Sequence, residues 1–303
     1  FDTPRHDCEA CESWHDLQLF LTGPAVTEAQ AHLESFLHVT AGKTIPPRTG
    51  QILRTLSRPR FGNLVHFGPA PLATEIADAH EHCSRNAEKL IYLETQFFRD
   101  LRLARSLARR AEANAGLTLL LVLPAAPEEV AFNSRPGMDA RFGEHLQTRA
   151  LRILTRAFGD RLFVAAMAQP RKPQEDERGR ALLYDAPIVY IHSKVSIFDD
   201  AAAIVSSANL NGRSLRWDTE AGLLLTDRVQ VEKLRRKVMG HWLPKEAATE
   251  YFDPVRAVGA WRDLAQRNAG KAPSGRQGFV LPFDIGAAKR DAALMPFVPQ
   301  AIV

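Results

Sequence analysis

Residues 190–220 read YIHSKVSIFDDAAAIVSSANLNGRSLRWDTE, and this stretch decides the fold that we predict. Polar and apolar side chains alternate through its first half, which is typical of a β-strand with one face in a core. His192 and Lys194 lie on the same face of that strand. The turn at 199–200 and the small apolar run after it predict an antiparallel partner strand that ends at Ser207 and Asn209. The sequence therefore predicts a β-hairpin with polar side chains gathered at one rim.

These side chains are suited to binding and cleaving a phosphate ester. Lys194 supplies a mobile cation and Asn209 a neutral amide donor, and both stabilise the oxyanion of a phosphodiester. A histidine side chain can exchange a proton under physiological conditions, so His192 can act as a nucleophile or as a general acid. A carboxylate bonded to its second ring nitrogen would fix the tautomer; Glu220 is the first candidate and Asp218 the second. A histidine alone on a strand is more often structural, but the lysine and the Ser-x-Asn that follow favour catalysis.

The pattern H-x-K-x4-D, followed after six residues by S-x-N, resembles the signature of the phospholipase D superfamily, H-x-K-x4-D-x6-G-S-x-N. In this chain it reads HSKVSIFD, DAAAIV and SSAN. Ser206 stands where the family has glycine, and a backbone with positive φ would be strained there. The stretches FDTPRH, WHDLQLFLTGPAV, LIYLETQFF and NLNGRSLRWDTEAGLLL are also similar to family segments, in family order. The resemblance covers most of the chain.

The resemblance implies an α/β fold, a phospholipase D-like mixed β-sheet flanked by helices on both faces, which forms the second lobe of a bilobal enzyme. Residues 1–62 would be the remainder of the first lobe and a connector, and residues 63–303 the second lobe with the motif. In the family two such motifs share one active site. One histidine attacks phosphorus to form a phosphohistidine, and the other protonates the leaving alcohol. His192 would be that acid and later the base for water, although a site made from two copies of the chain could exchange the roles.

This sequence contains one H-x-K-x4-D, so the resemblance implies that a second motif comes from elsewhere. We consider three sources: an upstream segment on a separate chain, a longer protein of which this sequence is a part, and a second copy of the chain. The first two are favoured because residues 1–60 resemble the tail of a first lobe. The expected partner is therefore an N-terminal lobe that carries the first motif.

Further residues are assigned to the site by position and by resemblance. Asp199 completes the motif and is placed with the catalytic set, although its distance along the strand favours a capping or pairing role. Glu94 and Gln96 end a strand, where they would position the motif or a substrate oxygen, or else be an ordinary polar strand end. A last group comprises candidate substrate contacts: Ser207, Asn211, Arg213 and Trp217. Pairing of Arg213 with Asp218 and burial of Trp217 in the core are the alternative interpretations.

Composition limits the classes of partner. The 303 residues are 45% hydrophobic, enough for a sizeable core, and carry a net charge of +4. This mild excess of positive charge suits an anionic substrate or membrane surface and is too weak to indicate nucleic acid. No apolar run approaches the length of a transmembrane helix. No cofactor and no metal are expected, because Lys194 and Asn209 can stabilise the phosphate without an ion. Cys8 and Cys11 form a C-x-x-C that could bind zinc or pair, but an ordinary loop is the simpler interpretation.

The function that these observations favour is a bacterial-type phospholipase D. It would hydrolyse the distal phosphodiester of a glycerophospholipid at a membrane surface to phosphatidate and an alcohol, and transphosphatidylation is possible. The resemblance favours a secreted or peripheral membrane protein. A nuclease, a cardiolipin synthase-like transferase and a non-catalytic binding lobe are the alternatives.

Three expectations about local structure follow from the remaining patterns. Alternation predicts a strand over 16–21, and residues 40–62, rich in Pro, Arg, Gly and Thr, predict a connector. The chain after the helix predicted over 229–242 is expected to be mostly irregular.

Overall fold

A mixed β-sheet lies at the centre of the computed structural model, which describes residues 14–47, 49–60, 68–132, 137–295 and 298–299. The strands of these residues are β1 (Trp14–His15), β2 (Ile52–Arg58), β3 (Ala70–Thr74), β4 (Leu90–Glu94), β5 (Thr118–Val122), β6 (Leu162–Met167), β7 (Leu182–Leu183), β8 (Ala186–Pro187), β9 (Tyr190–Ile191), β10 (Val195–Phe198), β11 (Ala202–Ser206), β12 (Glu220–Leu225) and β13 (Val280–Pro282). Nine of these described strands form one sheet in the order β13-β6-β5-β4-β10-β11-β12-β2-β3. Strands β4, β5 and β6 run parallel to one another, and the other neighbours are antiparallel.

Helices cover both faces of the sheet. The α-helices of the described residues are α1 (Pro24–Thr40), α2 (Glu75–Asn86), α3 (Leu101–Ala113), α4 (Glu128–Phe132), α5 (Met138–Phe158), α6 (Gly212–Arg216), α7 (Arg228–Trp242), α8 (Ala257–Ala269) and α9 (Ile285–Asp291). On one face α3 and α5 bury Leu107 and Leu154 in a large apolar cluster. On the other, α7 and α8 bury Trp242 and Trp261 in a second cluster. The predicted fold class, a mixed sheet between two layers of helices, is confirmed.

The predicted motif hairpin is also confirmed. Strand β10 pairs antiparallel with β11, and Val195 lies opposite Val205. On its other side β10 pairs antiparallel with β4, so that Val195 also lies opposite Glu94. The start of β10, the end of β11 and the end of β4 therefore lie side by side, where these central strands meet the loops. His192 and Lys194 come just before β10, in the same place.

Two regions that looked irregular in the sequence are regular. Residues 52–58, assigned to the connector, form β2 and pair with β12 inside the main sheet. Their flanking Pro and Gly residues suggested a loop, but the run ILRTLSR is itself rich in β-branched and apolar residues, and five of its seven residues are buried. The C-terminal region expected to be irregular contains α8 and β13, and Trp261 is among the largest fully buried side chains.

The strand predicted over 16–21 is wrong. Strand β1 covers Trp14–His15 and pairs parallel with Tyr190–Ile191, whereas the residues after it are irregular. Their alternating leucines are satisfied by packing instead of by a ladder, because Leu19 and Leu21 contact a small cluster formed by Ala25, Ile52 and Leu223. Among the described helices, none has the length and apolar character needed to cross a bilayer.

Candidate active site

The candidate site lies at the ends of four central strands of the sheet, where β4 and β11 end and β10 and β12 begin. This topology brings together residues from distant parts of the sequence. Backbone hydrogen bonds fix the motif to the N-terminal segment, because the amides of His192 and Ser193 both donate to the carbonyl of His15, at 2.8 and 3.1 Å. The position of the histidine therefore depends on β1 as well as on the hairpin.

The imidazole of His192 is paired with Asp16. Its Nδ1 lies 2.8 Å from Asp16 Oδ2, and a carboxylate can only accept, so Nδ1 is the donor. Burial raises the pKa of Asp16, but the hydrogen bond and the charge of His192 outweigh it and the carboxyl pKa is lowered. Asp16 is therefore ionised at neutral pH and fixes the ring, so that reaction at phosphorus or proton transfer falls to Nε2. The prediction that Glu220, or second Asp218, provides this carboxylate is wrong.

Lys194 lies next to this pair in a largely buried position. Its Nζ donates to the carbonyl of His192, which folds the side chain back over the motif. Burial lowers its pKa to about 8, and the nearby carboxylates of Asp16 and Glu220 oppose that shift. The ammonium is charged at neutral pH and poorly solvated, which makes it an effective partner for a phosphate oxyanion.

Glu94 lies beneath the motif, sealed from solvent. Its Oε1 accepts from Ser193 Oγ and lies 3.1 Å from His15 Nε2. Its Oε2 accepts from Tyr92 Oη and, at 2.9 Å, from Trp242 Nε1. Burial raises the pKa of Glu94, but the contacts with His15, Ser193 and Tyr92 outweigh it, and the pKa is lowered. The predicted positioning role fits this geometry, because Glu94 supports the residue between His192 and Lys194.

Gln96 and Asn209 form a second polar chain at the rim. Asn209 Nδ2 donates to Gln96 Oε1 at 3.1 Å, and Gln96 Nε2 donates to the hydroxyl of Tyr190 at 2.9 Å. The same hydroxyl accepts from the backbone amide of Glu128 at 3.2 Å. Asn209 is therefore connected through Gln96 to Tyr190 in β9.

Ser206 and Ser207 show how the hairpin accommodates its departure from the family pattern. Ser206 is extended within β11 and pairs with Gly222. A Cβ atom on Gly222 would lie 2.6 Å from the Cβ of Ser206, so the glycine opposite provides the space that the serine needs. Ser207 Oγ donates to Glu220 and accepts from the amide of Ala221 at 3.1 Å. Glu220 is thus held at the rim through Ser207 and not through His192.

Asp199 is part of the scaffold, at the opposite end of β10 from His192. Its φ is 54°, and its carboxylate accepts from the backbone amides of Glu88, Lys89 and Leu90, each at 2.8 Å. These contacts join the hairpin turn to the start of β4. Its placement in the catalytic set is therefore wrong, and the capping role that its distance along the strand favoured is what the geometry shows.

Three candidate substrate contacts make structural contacts instead. Asn211 caps α6 by accepting from Ser214 N at 2.8 Å and is buried. Arg213 pairs with Asp218, with Nη2 3.0 Å from Oδ1. The indole of Trp217 packs over Gly68, where a Cβ would lie 2.6 Å from a ring atom. Their assignment to phosphate or acyl-chain binding is not supported by these positions.

Asp16, His15, Ser193 and Tyr190 are the site residues that sequence reasoning missed. Asp16 lies 176 positions from its histidine, so no local pattern connects them. The available signal was the His-Asp dipeptide at 15–16, which interrupts an otherwise apolar run. Cys8 and Cys11 lie outside the described residues. Within the described part of the chain, no group of three or more His, Cys, Asp or Glu side chains is placed to hold a metal ion.

Comparisons with known proteins match the central part of the chain to one family. The family model described as "Cardiolipin synthase, PLD-like domain" matches residues 82–242, from α2 to the end of α7. The plant protein phospholipase D zeta 2 of Arabidopsis thaliana is 30% identical over 179 residues, which cover 50% of this chain and 17% of that protein. The chain therefore spans less than a fifth of the length of this curated relative.

Two solved structures are similar at low identity. Phosphatidylserine synthase of Haemophilus influenzae is 18% identical, with a TM-score of 0.42, over 82% of this chain and 55% of that chain. NucT from Helicobacter pylori is 15% identical, with a TM-score of 0.37, over 53% of this chain and 83% of that chain.

Proposed function

We propose that this chain, which belongs to the family of phospholipase D-like domains, supplies the acid–base half of a phospholipase D site. The observation that carries the proposal is the pairing of His192 with Asp16 beside the buried ammonium of Lys194. An imidazole with a fixed tautomer and an adjacent cation is what cleavage of a phosphodiester requires. The substrate would be a glycerophospholipid, cleaved at its distal phosphodiester.

In the first half-reaction, a histidine of a second H-x-K motif attacks phosphorus and forms a P–N bond. The P–O bond to the headgroup breaks, and the His192 ring gives its Nε2 proton to the alcohol oxygen that leaves. The Lys194 ammonium and the Asn209 amide neutralise charge on the non-bridging oxygens. Asp16 stabilises the protonated ring before this transfer and holds it in place afterwards.

In the second half-reaction, His192 acts as the base. It takes a proton from water as the water oxygen attacks phosphorus, and the P–N bond breaks to release phosphatidate. Each proton lost in the first step is regained in the second, so the pair returns to its starting state. An alcohol in place of water would give transphosphatidylation by the same steps.

The second histidine has to come from another polypeptide segment, because the sequence contains one H-x-K-x4-D. An N-terminal lobe that carries the first motif is the partner that the resemblance favours, and a second copy of this chain is the alternative. Glu220 faces the Lys194 side of the site and is held through Ser207.

The support for a lipid substrate is of two kinds. The curated relative that the chain resembles is named a phospholipase D, and the net charge of +4 is low for a protein that binds nucleic acid along a groove. A transferase is the second candidate, because the matching family model is described as cardiolipin synthase. The two differ in the acceptor, water or a lipid hydroxyl, and not in the roles of His192 and Lys194.

The test is headgroup release from mixed phospholipid vesicles by the wild type and by His192→Ala, each assembled with the polypeptide segment that carries the second motif. We expect the variant to be slower by about 1000-fold with unchanged thermal unfolding, since proton transfer contributes about 100- to 10,000-fold. The exposed His38→Ala is the matched control and should keep the wild-type rate. Activity of His192→Ala within a few-fold of wild type would overturn the proposal. Added glycerol or phosphatidylglycerol as acceptor separates hydrolysis from transfer.

A further inference from the structure

An apolar cavity of about 500 Å³ opens directly beside the motif. Its walls come from three places: the irregular segment after β1, one face of α1, and the strands β2, β11 and β12. The apolar side chains that line it are Leu17, Leu19, Leu21, Ala29, Leu33, Ile52, Val205, Ala221 and Leu223. A cavity of this size and composition is within the range that binds small molecules in proteins.

The polar residues of this cavity are concentrated at its catalytic end. Asp16, His192, Lys194 and Ser207 line the same cavity as the leucines. The remaining ionisable group in the lining is His32 on α1, and burial lowers its pKa, so its ring is neutral at neutral pH. The cavity is thus charged where phosphate chemistry would occur and uncharged along α1. This distribution matches an amphiphile whose phosphate is joined to a hydrocarbon chain.

The open side of the cavity is also apolar. Leu33 lines the cavity and exposes 72% of its surface, so it lies at the rim. Leu37, one helical turn further along α1, exposes 75%, and Phe20 in the neighbouring segment exposes 94%. Exposed apolar side chains beside a ligand cavity are unusual on a protein that meets only water. They are expected where a lipid leaves a bilayer to enter a site.

We propose that this cavity binds one acyl chain of the substrate, with the lipid phosphate beside His192 and Lys194. The proposal rests on the proposed function and adds to it the part of the molecule that recognises lipid. It also separates lipid from nucleic acid, because a nucleotide would place a polar sugar against the leucines and away from the charged side chains of Asp16 and Lys194. The other conceivable occupant is the polypeptide that carries the second motif.

The experiment fills the cavity from α1. Ala29→Phe puts a ring into the lining, whereas Thr27→Phe puts the same ring on the exposed side of the helix two residues earlier. Both are compared with wild type on dihexanoylphosphatidylcholine and dibutyrylphosphatidylcholine below their critical micelle concentrations, and on the chainless diester bis(4-nitrophenyl) phosphate. The readout is the ratio of kcat/KM between substrates, which is independent of the amount of active protein.

For the wild type, we expect each methylene of the bound chain to raise kcat/KM about fourfold, so that dihexanoyl lipid exceeds dibutyryl lipid by about 15-fold. Ala29→Phe should lower that preference to about twofold, and Thr27→Phe should preserve it. Leu33→Ser provides a second variant at an exposed position that folding tolerates, and it should lower the preference about threefold. An unchanged preference in Ala29→Phe would overturn the proposal. So would an equal loss on all three substrates, which would assign the cavity to assembly with another polypeptide.

A binding measurement distinguishes failure of this inference from failure of the proposed function. If the wild type, assembled with the polypeptide segment that carries the second motif, cleaves none of the three substrates, the phospholipase proposal fails. Titration calorimetry with dihexanoylphosphatidate and with glycerol 3-phosphate then tests the cavity alone. Binding of the lipid that is at least 10-fold tighter than that of glycerol phosphate, and is weakened by Ala29→Phe but not by Thr27→Phe, would support the acyl-chain site. Equal affinities would overturn it.

Discussion

Two carboxylate–imidazole pairs lie side by side in this protein, and consecutive residues of the N-terminal segment contribute to them. His15 pairs with Glu94, and Asp16 pairs with His192. The first pair is inside the protein: the side chain of Glu94 has no exposed surface, and that of His15 exposes 13%. The second is open to solvent, with 36% of the His192 side chain and 51% of Asp16 exposed.

Under the proposed function, the difference in burial separates a scaffold from a reactive group. Glu94 has contacts with four donor side chains, so its charge is fully compensated where solvent cannot reach it. Asp16 accepts from its own neighbour Leu17 N and from His192, and its other surface faces the cavity. An acid–base group has to exchange protons with substrate and water, which the open pair can do and the buried pair cannot.

The two pairs are mechanically joined. The carbonyl of His15 accepts from the amides of both His192 and Ser193, and Ser193 Oγ donates to Glu94. Displacing the buried pair would therefore shift the open one, whereas displacing the open pair would leave the buried one in place. This asymmetry predicts that variants of the two carboxylates differ in kind.

The largest expected effect is on stability, and it comes from the buried pair. In Glu94→Gln an amide NH2 replaces one of the two carboxylate oxygens, so a single oxygen remains as an acceptor. Either Trp242 Nε1 or His15 then faces the NH2 group and loses its acceptor. We expect the free energy of unfolding to fall by about 3 kcal/mol, because buried donors of the Glu94 carboxylate are left unpaired. Urea unfolding measures it. Glu88→Gln, at an exposed carboxylate before the opposite end of β4, should change the value by less than about 0.5 kcal/mol.

The open pair should show the reverse behaviour, with a smaller free-energy effect that appears in the rate. Asp16→Asn removes the charge that stabilises protonated His192 and offers an amide that can present the wrong atom to the ring. We expect kcat to fall about 30-fold, with the free energy of unfolding changed by less than about 1 kcal/mol because the pair is exposed. Steady-state headgroup release and urea unfolding are measured on the same preparation. A loss of stability as large as that of Glu94→Gln would mean that the two pairs do not differ as described.

The smallest expected effect is a decline of kcat/KM at high pH, which forms a basic limb of the pH profile. Its cause is the loss of charge on Lys194, the cation next to the open pair. Burial lowers the pKa of Lys194 to about 8, so its charge is lost as pH rises through that value. For the free enzyme we expect kcat/KM to decline above pH 8 and to be about tenfold lower at pH 9 than on the plateau. In Lys194→Arg the guanidinium remains charged, and this limb should disappear even though the rate is lower. A limb of the same shape in the variant would assign it to another group.

Sequence reasoning found the elements whose signals are local. The hairpin follows from alternation around the motif, the turn at 199–200 and the small apolar run after it, and the parallel strand β5 follows from the apolar run LTLLLVL. The motif histidine, lysine and asparagine follow from residue type and short spacing. These signals extend over a few residues, so one sequence is enough to read them.

The parts that escaped prediction depend on contacts between distant residues. Asp16 was overlooked because the segment that carries it pairs with β9 through two residues, too short a strand for any pattern. Glu220 is the carboxylate that the sequence favours as the partner of His192, but its position at the start of β12 directs it to Ser207. Strand β2 was hidden by its flanking Pro and Gly, although its partner β12 makes it a central strand of the sheet. In each case tertiary packing outweighed the local signal.

The measurement that tests the central claim most directly is a burst experiment with phosphatidyl-4-nitrophenol, whose nitrophenolate leaving group needs no proton. If His192 is the proton-transfer group of the open pair, His192→Ala should still release about one nitrophenolate per active site at the wild-type burst rate. Turnover should then stop, because no base activates water, and the phosphoryl group should stay on a histidine of the second motif. Absence of a burst, together with a phosphoryl group found on His192 in the wild type, would contradict the account and make His192 the nucleophile.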